Sequence, residues 1–362
     1  MSKRAAVQKR LPAMLALVLL LPLLGGCWDN RDINHRSLPI VMGIGQADAG
    51  YKVYLQLPEI TKDSLSIRIV SGTGPTVSEV VDRISTNMES QVDLLHLKLI
   101  VVDRSYAEKG MKDSISGFMR SRDLSPKTMI AICEDPLDRF FKEYEKKMNS
   151  NQTLLYDYFE TNAGWNPEIA RTRVWEMFRS VNSFTRDVFV PIVKLGTATP
   201  VEIAGSAIIR NGRMVGRIAP DETLLANIFN GRGAQGKIEV MNHATVLVLS
   251  NRMTHKSAMN GNRAILNSTV HIKVSILETK GSPTVSLIEQ ELKQVLEARY
   301  DKLLAVIRKH RADILGIGQF FRTKLSREEL ADWREAYLPY MQMKVHVKAS
   351  VQNEGNLKIK QQ

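Results

Sequence analysis

One cysteine stands in a setting that favours covalent modification. Cys27 follows Leu23-Leu24-Gly25-Gly26, so two small residues immediately precede the thiol. A thiol can be joined to a diacylglycerol through a thioether, and small residues before it let the peptide enter a narrow protease site. Two acyl chains hold a protein firmly on a bilayer, because each buried CH₂ contributes about 0.8 kcal/mol. The chemistry predicted here is cleavage before Cys27 and lipid attachment to its sulfur.

The segment before this cysteine has the composition of a bacterial lipoprotein signal. Residues 1–10 contain four basic side chains and no acid, and an apolar stretch runs from Leu11 to Leu24. That stretch is short for a permanent membrane helix, which takes about 20 apolar residues. We therefore predict a signal peptide at residues 1–26 and S-diacylglycerol on Cys27. Acylation of the Cys27 amine stays open, and the alternative is an ordinary signal peptide with an incidental cysteine.

The charge and cysteine content of the mature chain limit its function classes. Removal of the 26 signal residues leaves 336 of 362 and lowers the net charge from +12 to +8, because four basic residues leave with the signal. No run of five Lys or Arg occurs and aromatic residues make up 6% of the chain, which argues against nucleic-acid binding. If Cys27 carries lipid, Cys133 has no partner for a disulfide within the chain. Its apolar surroundings, Met129–Cys133, predict a buried small hydrophobe.

No residue pattern indicates catalysis, and none indicates a metal or cofactor site. The motifs H-E-x-x-H, C-x-x-C, G-x-S-x-G and S-x-x-K are absent from the sequence. Gly43-Ile44-Gly45 supplies two glycines of a dinucleotide loop, but Asp48 stands at the third position and would repel a pyrophosphate. Ser71-Gly72-Thr73-Gly74 lacks the residues that complete a phosphate loop and is predicted to be a turn.

The remaining chemistry-bearing residues are interpreted as structural. His96 lies in the apolar run Leu94–Val102, which favours a buried histidine over a catalytic one. Glu134-Asp135 and Glu328-Glu329 are adjacent pairs whose side chains diverge, so they cannot act as opposed carboxylates, and we predict solvated surface. The sequence therefore predicts no catalytic, metal-binding or cofactor-binding residue.

Hydrophobic periodicity predicts alternating strands and helices. The predicted strands span residues 37–45, 51–57, 65–70, 94–102, 129–133, 188–194, 203–209, 213–218, 237–250, 264–277 and 341–351. The predicted helices span residues 76–88, 106–119, 136–148, 221–229 and 286–310. Asn211-Gly212 predicts a hairpin turn, and Ser286 with Glu289 predicts a capping box at the start of the longest helix.

This order favours an α+β fold: a multi-domain mixed α/β ectodomain with largely antiparallel sheets. We predict that the domain boundary lies between about Asn182 and Pro200. We therefore predict a signal peptide at 1–26, an N-terminal region at 27–195 with room for two subdomains, and a C-terminal α+β domain at 196–362.

Segments in the same order along the chain carry a resemblance to a known family. They are Cys27–Asn34 with Ile40–Gly45, Leu95–Val102, Gly205–Ile209 with Val215-Gly216, Asp313–Gly318 and Lys344–Val347. Together they resemble the Ger(x)C family, the C subunits of bacterial spore germinant receptors. The similarity extends over essentially the whole mature chain.

The resemblance implies a non-enzymatic lipoprotein on the outer face of the spore inner membrane. Family members assemble with two integral-membrane subunits, of A and B type, into a receptor that triggers germination in response to nutrients. The alternative is a lipid-anchored solute-binding protein of a transporter, which would need two lobes around a polar cleft with aromatic clamps. The few aromatic residues and the hairpin-rich second half argue against that alternative. An envelope hydrolase would need paired acids or a nucleophile triad, and the sequence offers neither.

Overall fold

The computed structural model describes residues 35–60, 65–121, 123–151, 155–157, 159 and 166–353. The predicted signal peptide at 1–26 and the predicted lipidation site at Cys27 lie outside these residues. Two mixed sheets, of nine and four strands, and the helices that cover them form most of the described fold. The predicted α+β class is confirmed.

The larger sheet has nine strands in the described part of the chain. They are β1 (Val41–Ala47), β2 (Gly50–Ile60), β3 (Leu65–Gly74), β4 (Leu99–Asp103), β5 (Met129–Cys133), β6 (Thr172–Arg173), β7 (Val188–Leu195), β8 (Val201–Arg210) and β9 (Arg213–Ile218). Their order is β9-β8-β7-β5-β4-β1-β2-β3, and β6 pairs with β5. The central strands β7, β5, β4 and β1 are parallel to one another, whereas the outer pairs are antiparallel.

Helices cover both faces of the larger sheet. They are α1 (Val77–Thr86), α2 (Arg104–Lys109), α3 (Lys112–Arg120), α4 (Leu137–Asn151) and α5 (Val174–Val181). Helix α4 packs on one face and the other four helices contribute to the core on the opposite face. Parallel strands covered on both faces are apolar along their whole length, as Leu99–Val102 shows. Cys133 is fully buried in this core, so its interpretation as a small hydrophobe is confirmed, and burial raises the pKa of its thiol.

The smaller sheet belongs to the C-terminal half. Its strands are β10 (Ile238–Val240), β11 (Ala244–Asn260), β12 (Arg263–Thr279) and β13 (Gln342–Asn353), in that order, with β13 parallel to β12. The helices of this half are α6 (Pro220–Phe229), α7 (Val285–His310) and α8 (Arg327–Ala331). Helix α7 buries Ile288, Leu292, Leu296, Leu303 and Ile307 in a core shared with this sheet.

The structure confirms the predicted hairpin turn and contradicts the predicted helix cap. The Asn211-Gly212 hairpin is confirmed, because both residues have positive φ (49° and 75°) between the paired β8 and β9. The predicted capping box at Ser286 and Glu289 is wrong. The cap is Thr284, whose hydroxyl accepts from the Leu287 N–H at 3.3 Å, and the Glu289 carboxylate instead accepts from the Val351 N–H at 2.9 Å.

Two predicted boundaries are also wrong. Ser71–Gly74 continues β3 rather than forming a turn, because Gly72 and Gly74 let the Val80 side chain of α1 pack directly on the strand. Leu94–His96 forms a 3-10 turn that begins at Asp93, whose carboxylate accepts from the Leu95 N–H at 2.9 Å. The buried strand therefore starts only at Leu99.

The predicted boundary at 195/196 lies in the connection between two neighbouring strands. β7 and β8 are paired antiparallel, with Leu195 opposite Val201. Phe189, Ile208 and Ile218 from this region also belong to the core beneath the smaller sheet. The division into 27–195 and 196–362 therefore stays a prediction, and one hydrogen-bonded strand pair joins the two halves.

Candidate functional site

The residues that the sequence singled out lie apart in the described structure. His96 is exposed, so the prediction of a buried histidine is wrong, because the chain turns away from the sheet before Leu99. Over the described ranges, no three His, Cys, Asp or Glu side chains lie close enough to hold a metal ion. No helix in the same ranges has the length and apolar composition needed to cross a bilayer.

The glycines considered for a nucleotide loop serve packing. Gly43 lies in β1, where a Cβ would stand 2.2 Å from Cε2 of Phe141 in α4. The missing side chain lets Phe141 stack on Tyr54 with ring centroids 4.9 Å apart. Gly43 therefore shapes a core contact.

The adjacent acidic pairs have different surroundings. Glu134 accepts from Arg217 Nη1 at 2.9 Å and Asp135 accepts from the Leu195 N–H at 2.7 Å, and both are half-buried, so the prediction of solvated surface is wrong for this pair. Glu328 and Glu329 are exposed at the start of α8, as predicted. Neither pair forms an opposed couple of carboxylates.

A buried polar network joins the C-terminal segment to the start of β7. The Asp187 carboxylate accepts hydrogen bonds from Nε and Nη2 of Arg334 at 2.9 and 2.8 Å. Its Oδ2 also accepts a hydrogen bond from the Asp313 N–H at 2.8 Å. Asp313 in turn accepts from the N–H groups of Ile317 and Gly318 at 2.8 Å and from Trp333 Nε1 at 2.9 Å. We call Asp187, Asp313, Trp333 and Arg334 the junction network.

The two carboxylates of the junction network are buried and hydrogen-bonded at both oxygens. Burial raises the pKa of Asp313 to about 6, and the neighbouring Asp187 charge adds to the rise, whereas the three N–H donors oppose it. Burial also raises the pKa of Asp187 against the opposing effect of Arg334. The two carboxylates therefore hold the segment from Asp313 to Arg334 against the larger sheet.

A basic cavity opens beside the junction network. Its volume is about 260 Å³. Its polar lining includes three arginines and two carboxylates, with Trp175 and Asn230 beside them: Arg179, Arg186, Arg232, Glu176 and the junction-network residue Asp187. We call this space the arginine cavity. It brings α5 and the segment that follows it, before β7, together with the loop after α6, which lies further along the chain.

Neutral groups hold the three guanidinium groups in place. Arg179 lies over the Trp175 ring, with Cζ 4.8 Å from the centroid. Arg186 lies against Gly316, where a Cβ would stand 2.6 Å from Nε. Arg232 donates to Asn227 Oδ1 at 3.2 Å and to the carbonyl oxygen of Arg171 at 2.8 Å.

Three guanidinium groups outnumber the two carboxylates of the cavity lining, Glu176 and Asp187, and Asp187 is itself paired with Arg334. Burial lowers the pKa of Arg179, and the charge of Arg186 lowers it further. Burial likewise lowers the pKa of Arg232, with smaller lowering effects from Arg171 and Arg173 and an opposing one from a carboxylate, that of Glu176. That carboxylate is 3.7 Å from Arg232 and accepts from the Arg173 N–H at 2.9 Å.

Sequence reasoning missed this cavity. Four arginines lie within sixteen positions without forming a run: Arg171, Arg173, Arg179 and Arg186. Such spacing is typical of an ordinary solvated surface. The high local density of arginine in this stretch was the one sequence feature that could have indicated a basic site. Arg232 could not be added to it, because only the tertiary fold brings that residue to α5.

The chain matches two described families in sequence. Residues 29–195 match "Spore germination protein N-terminal domain" and residues 204–355 match "Spore germination B3/ GerAC like, C-terminal". "Spore germination protein GerQC" of Bacillus cereus is 21% identical over 301 residues, covering 80% of this chain and 83% of that protein. "Putative spore germination protein YfkR" of Bacillus subtilis (strain 168) is 20% identical over 370 residues, covering 91% of this chain and 92% of that protein.

A solved structure shares the fold. The crystal structure of the GerBC protein aligns with a TM-score of 0.57 and 15% identity, covering 89% of this chain and 100% of the other. The two sequence matches and this fold agree with the resemblance carried by the segments from Cys27 to Val347. The chain belongs to the Ger(x)C family of spore germination proteins.

Proposed function

We propose that this chain is the lipid-anchored C subunit of a nutrient germinant receptor at the spore inner membrane. The observation that carries the proposal is the pair of family matches, which begins at residue 29 and accounts for most of the chain behind Cys27. In this proposal, Cys27 carries S-diacylglycerol and the folded part lies on the outer face of the membrane. Its partners are two integral-membrane subunits, of A and B type.

The subunit acts through contacts rather than through catalysis. Glu134, Asp135 and the carboxylates of the junction network take part in hydrogen bonds and ion pairs that stabilise the fold. A lipid tether confines the protein to the layer in which its partners lie. Confinement raises the effective concentration of each surface, so that weak individual contacts suffice for assembly.

A solute-binding protein is the alternative function. It would require a deep cleft between two lobes, whereas here the two halves are joined by the paired strands β7 and β8. The continuous sheet therefore favours a receptor subunit over a two-lobed binder.

The anchor is tested with the change Cys27→Ala. We expect loss of fatty-acid labelling and release from membranes by a high-salt wash, with the fold intact because the described elements lie after residue 34. Cys133→Ala is the matched control, since Cys133 is buried in β5 and should not affect labelling. Fatty-acid label on the Cys27→Ala protein, or its full membrane retention after the wash, would refute the anchor.

The partnership is tested by co-isolation from spore membranes. An affinity-tagged wild-type chain should bring down both integral-membrane subunits after mild detergent extraction. An untagged strain controls for carry-over of membrane fragments. Recovery of the tagged chain alone, after crosslinking as well as without it, would contradict the proposed complex.

A further inference from the structure

We propose that the arginine cavity binds the phosphate group of a small ligand or of a lipid headgroup. This inference stands on the cavity alone and does not depend on the proposed receptor function. Three guanidinium groups from three separate segments line one space of about 260 Å³. Arginine presents a planar fork of N–H donors that matches the oxygens of a phosphate.

In the described part of the chain, two of these arginines, Arg179 and Arg186, lack the carboxylate partner that other arginines of the fold have, and Arg232 has only Glu176 at 3.7 Å. Arg83 pairs with Glu79 at 2.7 Å, Arg299 with Glu239 at 2.7 Å and Arg334 with Asp187 at 2.8 Å. Within the described residues, by contrast, the guanidinium groups of Arg179 and Arg186 have no carboxylate oxygen within 4.0 Å. The cavity therefore holds positive charge that an anion would neutralise.

The guanidinium groups are also pre-positioned. The Trp175 ring contacts Arg179 and the backbone at Gly316 contacts Arg186, in both cases without a carboxylate partner among the described residues. Asn227 Oδ1 accepts a hydrogen bond from Arg232, which also lies 3.7 Å from Glu176. Side chains that are already ordered lose less conformational entropy when a ligand binds. An anion entering the cavity would thus meet donors that need little rearrangement.

The number of charges favours phosphate over a single carboxylate. A monocarboxylate would neutralise one guanidinium and leave like charges confined together, whereas a phosphate presents more oxygens and up to two negative charges. Two lining carboxylates offset part of the positive charge: Glu176 lies 3.7 Å from Arg232, and Asp187 is already paired with Arg334. The cavity exceeds the size of a phosphate ion, so the group attached to the phosphate also has room. An adjoining cavity of about 390 Å³, lined by Arg171 and Arg173, shares Arg232 with it.

The test is a titration of the full chain in nonionic detergent with inorganic phosphate, followed by calorimetry and by thermal unfolding. Chloride replaces phosphate at constant ionic strength, so that general screening does not count as binding. We expect saturable binding and a rise in Tm with phosphate, since a ligand of the folded state stabilises it. The changes Arg179→Gln and Arg186→Gln should each weaken binding by about tenfold or more.

Arg83→Gln is the matched control, because Arg83 is an exposed arginine on α1 that pairs with Glu79. It should bind phosphate as the wild type does. Circular dichroism of each variant checks the fold, and the two single variants at different segments guard against one of them failing to fold. Absence of saturable phosphate binding to the wild type, or unchanged binding in both cavity variants, would overturn the proposal.

A second set of titrations identifies the source of the phosphate. Short-chain phosphatidylglycerol is compared with inorganic phosphate, and short-chain phosphatidylcholine serves as the zwitterionic comparison. Tighter binding of phosphatidylglycerol, lost in Arg186→Gln, supports a lipid headgroup. Tighter binding of inorganic phosphate with the same loss supports a soluble phosphate compound. Equal binding of both phospholipids that persists in Arg186→Gln would contradict a site in this cavity.

Discussion

At the residue scale, the junction network shows how a few buried polar groups fix a long segment. Asp187 is fully buried, and Arg334 is its main cationic partner. Arg334→Ala should destabilise the protein by about 3–5 kcal/mol, because it leaves a buried carboxylate without its counter-charge. Chemical denaturation measures the change. The exposed pair on α1 supplies the control, since Arg83→Ala should cost less than about 1 kcal/mol. Equal losses for both variants would contradict this account.

The raised pKa of Asp313 predicts an unusual dependence of protein stability on pH. Its pKa in the folded protein is raised to about 6 from an ordinary value of 3.8. The folded state therefore holds the proton more tightly than the unfolded state. The resulting stability is fully present below about pH 4 and is lost as the pH rises through 6, by about 3 kcal/mol in total.

The measurement compares wild type with Asp313→Asn by denaturation between pH 4 and pH 7. The amide does not titrate, so the wild type should lose stability relative to the variant as the pH rises. Arg334 is present in both proteins, and the charge of Asp187 contributes to the raised pKa of Asp313 that the comparison measures. A difference that stays constant, or that grows in favour of the wild type with rising pH, would show that the pKa of Asp313 is not raised.

At the element scale, glycines decide how closely helices approach the larger sheet. Gly43→Ala should destabilise by about 1–3 kcal/mol, because the new methyl group overlaps Phe141 in a packed core. Gly117→Ala in α3 meets no atom within 4 Å and should stabilise by about 0.5–1 kcal/mol through helix propensity. Thermal unfolding of the two variants should therefore shift in opposite directions. Shifts of the same sign would refute the packing role of Gly43.

Elements with a strong local pattern could be predicted from the sequence. Met129–Cys133 and α7 have apolar runs or stripes long enough to fix their type, and Asn211-Gly212 has the chemistry of its turn. Ser71–Gly74 was missed because its glycines serve a helix that packs on the strand, which no local pattern reveals. The arginine cavity was missed for the same reason, since Arg232 meets Arg179 and Arg186 only after folding.

At the scale of the whole molecule, the paired strands β7 and β8 join the two predicted regions. A fragment from Thr199 to Gln362 keeps the smaller sheet, α7 and most of their core, but loses β7 and Phe189. We expect it to unfold cooperatively at a lower temperature than the full chain, because the edge of β8 becomes exposed. Calorimetry of both proteins measures this. A fragment without a cooperative transition would mean that the two regions share one core and that the boundary at 195/196 is wrong.

The family membership, the proposed lipid anchor and the proposed contact-based role combine into one account of function. A C subunit that completes a receptor at the membrane is required for the response of that receptor. It is not required for events that follow receptor activation. Deletion of the gene therefore separates a receptor subunit from a component that acts later.

The most direct measurement is the fall in optical density of purified spores that lack this protein. Spores of a strain without redundant receptors receive either nutrient or a chemical trigger that bypasses receptors, and a strain with the restored gene is the control. We predict that the nutrient response is lost and that the receptor-independent response proceeds at the normal rate. An unchanged nutrient response would contradict the assignment as a receptor subunit, and loss of both responses would place the protein downstream of the receptor.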